Sequence, residues 1–321
     1  MFWIALPLSL VYLGACGLMY VRQRELVYCP QNTRVEASQT DFALVREGVT
    51  LRGWVVNPGQ AQALVYFGGN SEPVQVNRER FARWFPRHTV YLVAYRGFGA
   101  SEGAPTEAGI TGDALALYDH VEQRHPGMHI DVIGRSLGSG VAAHVAAKRP
   151  VRRLALVTPY DTLADLGQAY YRWLPIRLLA RDRYDSISHL SGYTGRLLVV
   201  RAGLDKVIPA ANTQRLIDSL PRPPQVLELR SADHSNIASS PALARTLKTF
   251  FAPVDPSAGK PRPRLRGQGR QVQTPAFSNT TAQVRVTPGE KSHDQPRRLP
   301  EVRQATVPRP HRERSRPEQR Q

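Results

Sequence analysis

The run Asp131-Val132-Ile133-Gly134-Arg135-Ser136-Leu137-Gly138-Ser139-Gly140 constrains this chain more than any other stretch. Residues 128–133 read as a short apolar strand and residues 141–149 as a helix of small residues, with Gly-x-Ser-x-Gly directly between them. A chain that passes from strand to helix in so few residues must reverse sharply, and the residue at the turn is held in a strained backbone conformation. Gly134 and Gly138 lack side chains that would collide where strand and helix pack closely. The turn lifts the Ser136 hydroxyl above the sheet and aims the Leu137 N–H, at a helix N-terminus, at any oxyanion formed there.

Two segments stand apart from the rest of the 321 residues. Residues 2–21 carry no charge and are long enough to cross a bilayer as a helix. No basic residue precedes the apolar run, as one would in a cleaved signal peptide. Leu13-Gly14-Ala15-Cys16 loosely resembles a lipoprotein cleavage box, but the chain stays apolar after the cysteine through Val21. The segment is therefore read as an uncleaved anchor that makes this a membrane protein. Arg22 and Arg24 follow it, which by the positive-inside bias puts the remaining chain on the cytoplasmic side. From residue 253 to 321 the chain is rich in Pro, Arg, Gln, Ser and Thr with no apolar period, and reads as a disordered basic tail. Of the net charge of +17, that tail supplies 15 basic against 6 acidic residues, or +9, leaving +8 elsewhere. A high pI arising this way does not mark a nucleic-acid-binding fold, and nucleic acid is not expected as a partner. The two cysteines, Cys16 and Cys29, imply neither a disulfide framework nor a thiolate metal site.

Residues 22–252 are left for one domain. Residues 42–45 and 50–56 read as an antiparallel pair about the Glu47-Gly48 turn. Apolar strands follow at 63–67, 89–94, 128–133, 153–157, 196–201 and 226–229. Helices are read at 74–84, 107–123, 141–149, 210–220 and 241–251, the second with Ile110, Ala114, Leu117, Tyr118 and Val121 on one face. Strands alternating with helices of this length require crossover connections. They predict an α/β fold with a mostly parallel sheet and helices on both faces. Reactive groups in such sheets collect at the C-terminal ends of strands.

A serine hydroxyl is a poor nucleophile near neutral pH and needs a base, itself fixed by a carboxylate. His234, in the loop after strand 226–229, is the candidate base, and Asp205, in the loop after strand 196–201, the candidate acid. Asp161, after strand 153–157, is the other strand-end carboxylate; it is read as a turn or cap residue. The loop Gly68-Gly69-Asn70 supplies the second oxyanion donor, the Asn70 N–H beside that of Leu137. Tyr95-Arg96-Gly97-Phe98-Gly99 lacks the spacing of a phosphate loop and is read as a structural loop. No cofactor is called for, and no cluster has metal-ligand spacing.

These stretches together resemble the α/β-hydrolase superfamily, and in particular its membrane-anchored serine hydrolases of the serine-aminopeptidase-like or acyl-thioesterase-like kind. The resemblance is carried by Tyr66-Phe67-Gly68-Gly69-Asn70, by residues 94–103, by Gly134-Arg135-Ser136-Leu137-Gly138, by Thr158-Pro159-Tyr160-Asp161, and by the Asp205 and His234 loops. It implies a Ser136–His234–Asp205 triad and hydrolysis of an ester, thioester or amide through an acyl-enzyme. Two positions depart from the pattern: relatives carry His-Gly-Asn where this chain has Gly68-Gly69-Asn70, and Gly where it has Ala202.

Residues 160–192, apolar and aromatic, read as a small helical cap over Ser136 that shapes a pocket for a small-molecule or acylated substrate, or as a segment that dips into the membrane near the anchor. The competing reading of the whole chain is a non-catalytic hydrolase-fold protein that binds through its cap or basic tail. The sequence leaves the substrate and the oligomeric state open.

Overall fold

In the computed structural model the described residues are 2–252, with side chains from residue 5 onward; the tail read from residue 253 lies outside them. A single eight-stranded sheet organises the domain, in the order β1-β2-β4-β3-β5-β6-β7-β8. Its strands are β1 Phe42–Arg46, β2 Val49–Val56, β3 Gln62–Phe67, β4 His88–Val93, β5 Ile130–Arg135, β6 Arg153–Val157, β7 Arg196–Ala202 and β8 Gln225–Leu229. β2 runs antiparallel to both β1 and β4, and every other pairing is parallel. The antiparallel start follows from the two-residue turn at Glu47 and Gly48, whose φ values of 51° and 74° match a hairpin of inverted hand. The parallel remainder follows from the crossover helices.

Those helices are α2 Arg78–Trp84, α3 Glu107–Arg124, α4 Leu137–Lys148, α8 Ala210–Ser219 and α9 Pro241–Phe250. α3 buries Ile110, Ala114, Leu117, Tyr118 and Val121, the stripe that its sequence spacing predicts. α3 packs on α4 and both on β5, while α2 packs on α9 and β4. Strands covered on both sides in this way have no polar face, and β4 and β6 are buried at every position, whereas the edge strands β1 and β8 keep exposed ones. The segment read as one helix at 74–84 begins instead as a 3-10 turn, Val74–Asn77, before α2.

Between β6 and β7 lie three short helices, α5 Leu163–Tyr170, α6 Ile176–Leu179 and α7 Ser186–Leu190. Pro175, which cannot continue a helix from α5, separates the first two. The apolar N-terminal helix, α1 Phe2–Val27, runs 26 residues and does not stop at the first charges. Arg24 pairs with the buried Asp182 at 2.8 Å. Gln23 donates to the Leu179 carbonyl at 3.1 Å and accepts from the Arg181 N–H at 2.7 Å. The Tyr12 hydroxyl donates to the Trp173 carbonyl at 3.0 Å, and just past the helix the hydroxyls of Tyr28 and Tyr184 lie 3.0 Å apart.

Candidate functional site

Ser136 sits between β5 and α4 with φ 51° and ψ −118°, a backbone state that costs an ordinary residue roughly 1–3 kcal/mol and persists only where packing enforces it. The packing is close enough to do so. A Cβ at Gly138 would stand 2.1 Å from the Phe67 carbonyl oxygen, and one at Gly134 would stand 2.4 Å from the Gly138 oxygen. A side chain at Gly134 would push β5 and α4 apart, and one at Gly138 would push α4 from the end of β3; either would release the turn.

Three loops meet at this serine. His234, after β8, places Nε2 3.0 Å from Ser136 Oγ. Its Nδ1 lies 2.9 Å from Oδ2 of Asp205, which follows β7. The other Asp205 oxygen accepts the N–H groups of Val207 and Ile208, each at 2.8 Å. Burial pushes the Asp205 carboxyl up, but the His234 bond and those two amides outweigh it and hold the group below the ordinary carboxylate range. A carboxylate kept ionised on Nδ1 fixes the proton there and leaves Nε2 as the acceptor facing the hydroxyl.

Asp161 is elsewhere. It is fully buried, accepts from Asn212 Nδ2 at 2.7 Å and from Arg215 Nε at 2.6 Å, and so ties the start of the inserted segment to α8. The N–H of Leu137 is the first of α4, where no residue of the same helix stands four places back to accept it. Leu137 and Asn70 line the same cavity as Ser136. The Asn70 side chain faces away from an oxyanion role: its Oδ1 accepts the Cys29 N–H at 3.0 Å, so the stretch that follows α1 braces this loop. At Gly68, where the resembled family carries histidine, a Cβ would meet Val74 Cγ1 at 2.7 Å, and the loop has no room for the larger residue.

Two residues beside the site carry no sequence signal for their role. Glu72 is buried, accepting from Gly69 N–H at 2.6 Å, Tyr66 OH at 2.7 Å and Asn77 Nδ2 at 2.8 Å. Arg135 pairs with Glu72 at 3.0 Å and donates to the His234 carbonyl at 2.9 Å. Burial pushes the Glu72 carboxyl up; Arg135 and the three donors more than offset this, and the group is held below its ordinary range. One ion pair thus connects the Gly69-Asn70 loop to the His234 loop.

The cavity above Ser136 holds about 300 Å³. Tyr160, Leu166 and Ile176 form part of its wall, and Met19, Leu26 and Val27 of α1 form another part. Tyr170 reaches across to the Asp205 loop, its hydroxyl donating to the carbonyls of Lys206 and Val207 at 2.7 and 2.9 Å. The site is largely apolar with a few convergent polar groups, the character of a small-molecule pocket. Among the described residues no group of His, Cys, Asp and Glu is arranged to hold a metal ion.

A family model described as the alpha/beta hydrolase fold matches residues 62–187. The chain is 29% identical over 241 residues to an uncharacterized protein of Mycobacterium tuberculosis, covering 71% of this chain and 86% of that one. It is 31% identical over 142 residues to the lysophosphatidylserine lipase ABHD12 of Danio rerio, covering 39% of this chain and 37% of the lipase. Among solved structures an esterase of Pyrococcus furiosus superposes with a TM-score of 0.55 at 16% identity, over 70% of this chain and 92% of the esterase.

Proposed function

Because the chain belongs to the α/β-hydrolase superfamily, we propose that it is a serine hydrolase whose nucleophile, base and acid are Ser136, His234 and Asp205. The observation that carries this is the unbroken relay from the Ser136 hydroxyl through His234 to Asp205, at 3.0 and 2.9 Å.

His234 Nε2 takes the hydroxyl proton as Ser136 Oγ attacks the substrate carbonyl carbon. The carbonyl oxygen becomes an oxyanion held by the N–H groups of Leu137 and Asn70. The imidazolium gives its proton to the departing alcohol, thiol or amine as the carbonyl re-forms, leaving the acyl group on Ser136. Water then repeats the sequence: His234 removes its proton, the oxygen adds to the acyl carbon, and Ser136 leaves with the proton returned. Asp205 stays ionised and stabilises the cationic imidazole in both halves.

An acyl substrate is favoured by the apolar cavity that ends at Ser136, and the similarity to a lysophosphatidylserine lipase points the same way. Through α1 the protein is seated in a membrane, with the catalytic domain on the cytoplasmic face. A fluorophosphonate probe tests the assignment: the wild type labels covalently and Ser136→Ala does not. Equal labelling of both overturns it. A panel of p-nitrophenyl esters, acyl thioesters and aminoacyl anilides then ranks the bond classes.

A further inference from the structure

α1 and the inserted segment 171–183 run side by side. Moving back along that segment, Asp182 meets Arg24, Leu179 meets Gln23, and Trp173 meets Tyr12. Tyr12 lies ten residues before Arg22, roughly 15 Å along a helix, which is about half the thickness of a bilayer's hydrocarbon layer. An α1 immersed up to its first charge therefore carries Trp173 in with it, because the Trp173 carbonyl is hydrogen-bonded to Tyr12.

The apolar side chains at that depth suit lipid, and of the two exposed arginines beside them, Arg172 and Arg177, the second is paired with Asp165. Trp173 is 86% exposed and Leu178 82% exposed, the largest exposures among the big apolar residues of the domain. On the outer side of α1, Leu13, Leu18 and Val21 are each more than 60% exposed. Cations stand near the expected interface: Arg22 pairs with Glu25 at 2.8 Å, and the Arg181 guanidinium lies over the Tyr20 ring at 5.6 Å. The wall is also thin. Met19 lines the cavity while its neighbour Leu18 faces out, and Leu179 lines it while Leu178 faces out. One layer of side chains at the α1–α6 seam separates Ser136's cavity from whatever covers the outside.

We infer that the tip of the α5–α6 segment, Trp173 and Leu178 foremost, lies in the leaflet that holds the C-terminal half of α1, so that the cavity at Ser136 fills with acyl chains from the membrane through the α1–α6 seam. α1 is on this account a wall of the pocket as well as a tether. The inference rests on the membrane seating of α1 proposed above.

Trp173 is its own reporter. The chain has four tryptophans; Trp54 is buried and Trp84 is half-buried in the domain, and Trp3→Phe removes the one in α1. The full chain with that substitution is reconstituted into phosphatidylcholine vesicles, and emission is compared with the same protein carrying Trp173→Phe. The component due to Trp173 is expected to lose about half its intensity when the vesicle lipids carry bromine at mid-chain, and to resist aqueous acrylamide. A Trp173 component quenched by acrylamide and indifferent to bromolipid, in protein that floats with the vesicles, overturns the inference and leaves the anchor standing. Failure to float overturns both. Trp173→Ser with Leu178→Ser gives the functional arm. Fluorophosphonate labelling in detergent stays at the wild-type rate, whereas hydrolysis of 4-methylumbelliferyl oleate in vesicles falls about tenfold relative to the soluble butyrate. An equal effect on the two esters counts against leaflet entry.

Discussion

Arg135 and Glu72 form an ion pair at 3.0 Å, with side chains only 15% and 8% exposed, between the loop that carries Asn70 and the loop that carries His234. Glu72 fixes one loop through the Gly69 N–H and Arg135 fixes the other through the His234 carbonyl. Truncating one partner strands a buried charge. Arg135→Met is expected to cost about 3–5 kcal/mol of stability, read as a lowered denaturant midpoint. Adding Glu72→Gln to it removes the stranded charge and is expected to recover part of that loss, a coupling visible in a double-mutant cycle. Strictly additive losses would show that the pair does not act as a unit.

Ser136 shows the cost of presenting a side chain on a sharp strand-to-helix turn. At φ 51° it occupies a backbone region that glycine enters freely. Ser136→Gly and Ser136→Ala both abolish probe labelling, yet they are not expected to be equal in stability. The glycine variant is expected to unfold at the higher temperature, by an amount equivalent to roughly 1 kcal/mol, because alanine keeps the strain and glycine relieves it. Matching melting temperatures would mean that the turn stores no such strain.

The two strand-end carboxylates separate cleanly under substitution. Asp205→Asn keeps the shape of the site but offers an N–H where His234 Nδ1 needs an acceptor, and kcat is expected to fall by about 10⁴ with little change in melting temperature. Asp161 is fully buried against Asn212 and Arg215, so Asp161→Ala is expected to cost about 2–4 kcal/mol while the surviving folded fraction labels at the normal rate. Reversed outcomes would move the acid to the loop after β6.

How much of this is legible in the sequence depends on whether a feature is local. The alternation of apolar strands with long helices was legible because each element carries its own period, and the strands lie within a residue or two of their expected ends. The tight approach at Gly134 and Gly138 was legible from the motif, because few other residues fit where a helix backbone touches a strand. In the sequence only position along the chain separates Asp205 from Asp161; the Arg215 and Asn212 partners of Asp161 lie more than 50 residues away. Glu72, two residues past Asn70, looks in sequence like any charged loop residue. Its burial depends on Tyr66, Asn77 and Arg135 arriving from different elements. The role of α1 in the pocket was hidden for the same reason. An apolar helix of spanning length reads as a tether, and nothing in its composition says that Met19 and Val27 face Ser136 while Leu18 faces out.

His144 of α4 and His189 of α7 stack edge to face with Nδ1 and Nε2 3.3 Å apart. Burial, the neighbouring His189 and Lys148 push His144 down to about 4, and burial with Lys148 lowers His189 despite the opposing pull of Asp185. Both rings are therefore neutral in the folded protein where an unfolded histidine, near 6.5, has begun to protonate. The unfolded state then binds more protons, so the stability that the pair contributes is full above about pH 6.5 and is lost as pH falls from there toward 4. Both side chains are only partly buried, and solvent screening limits the effect to roughly 1–2 kcal/mol. The melting temperature is expected to decline across that window in the wild type and to decline less in His144→Gln. Parallel curves for the two proteins would assign the acid sensitivity to other groups.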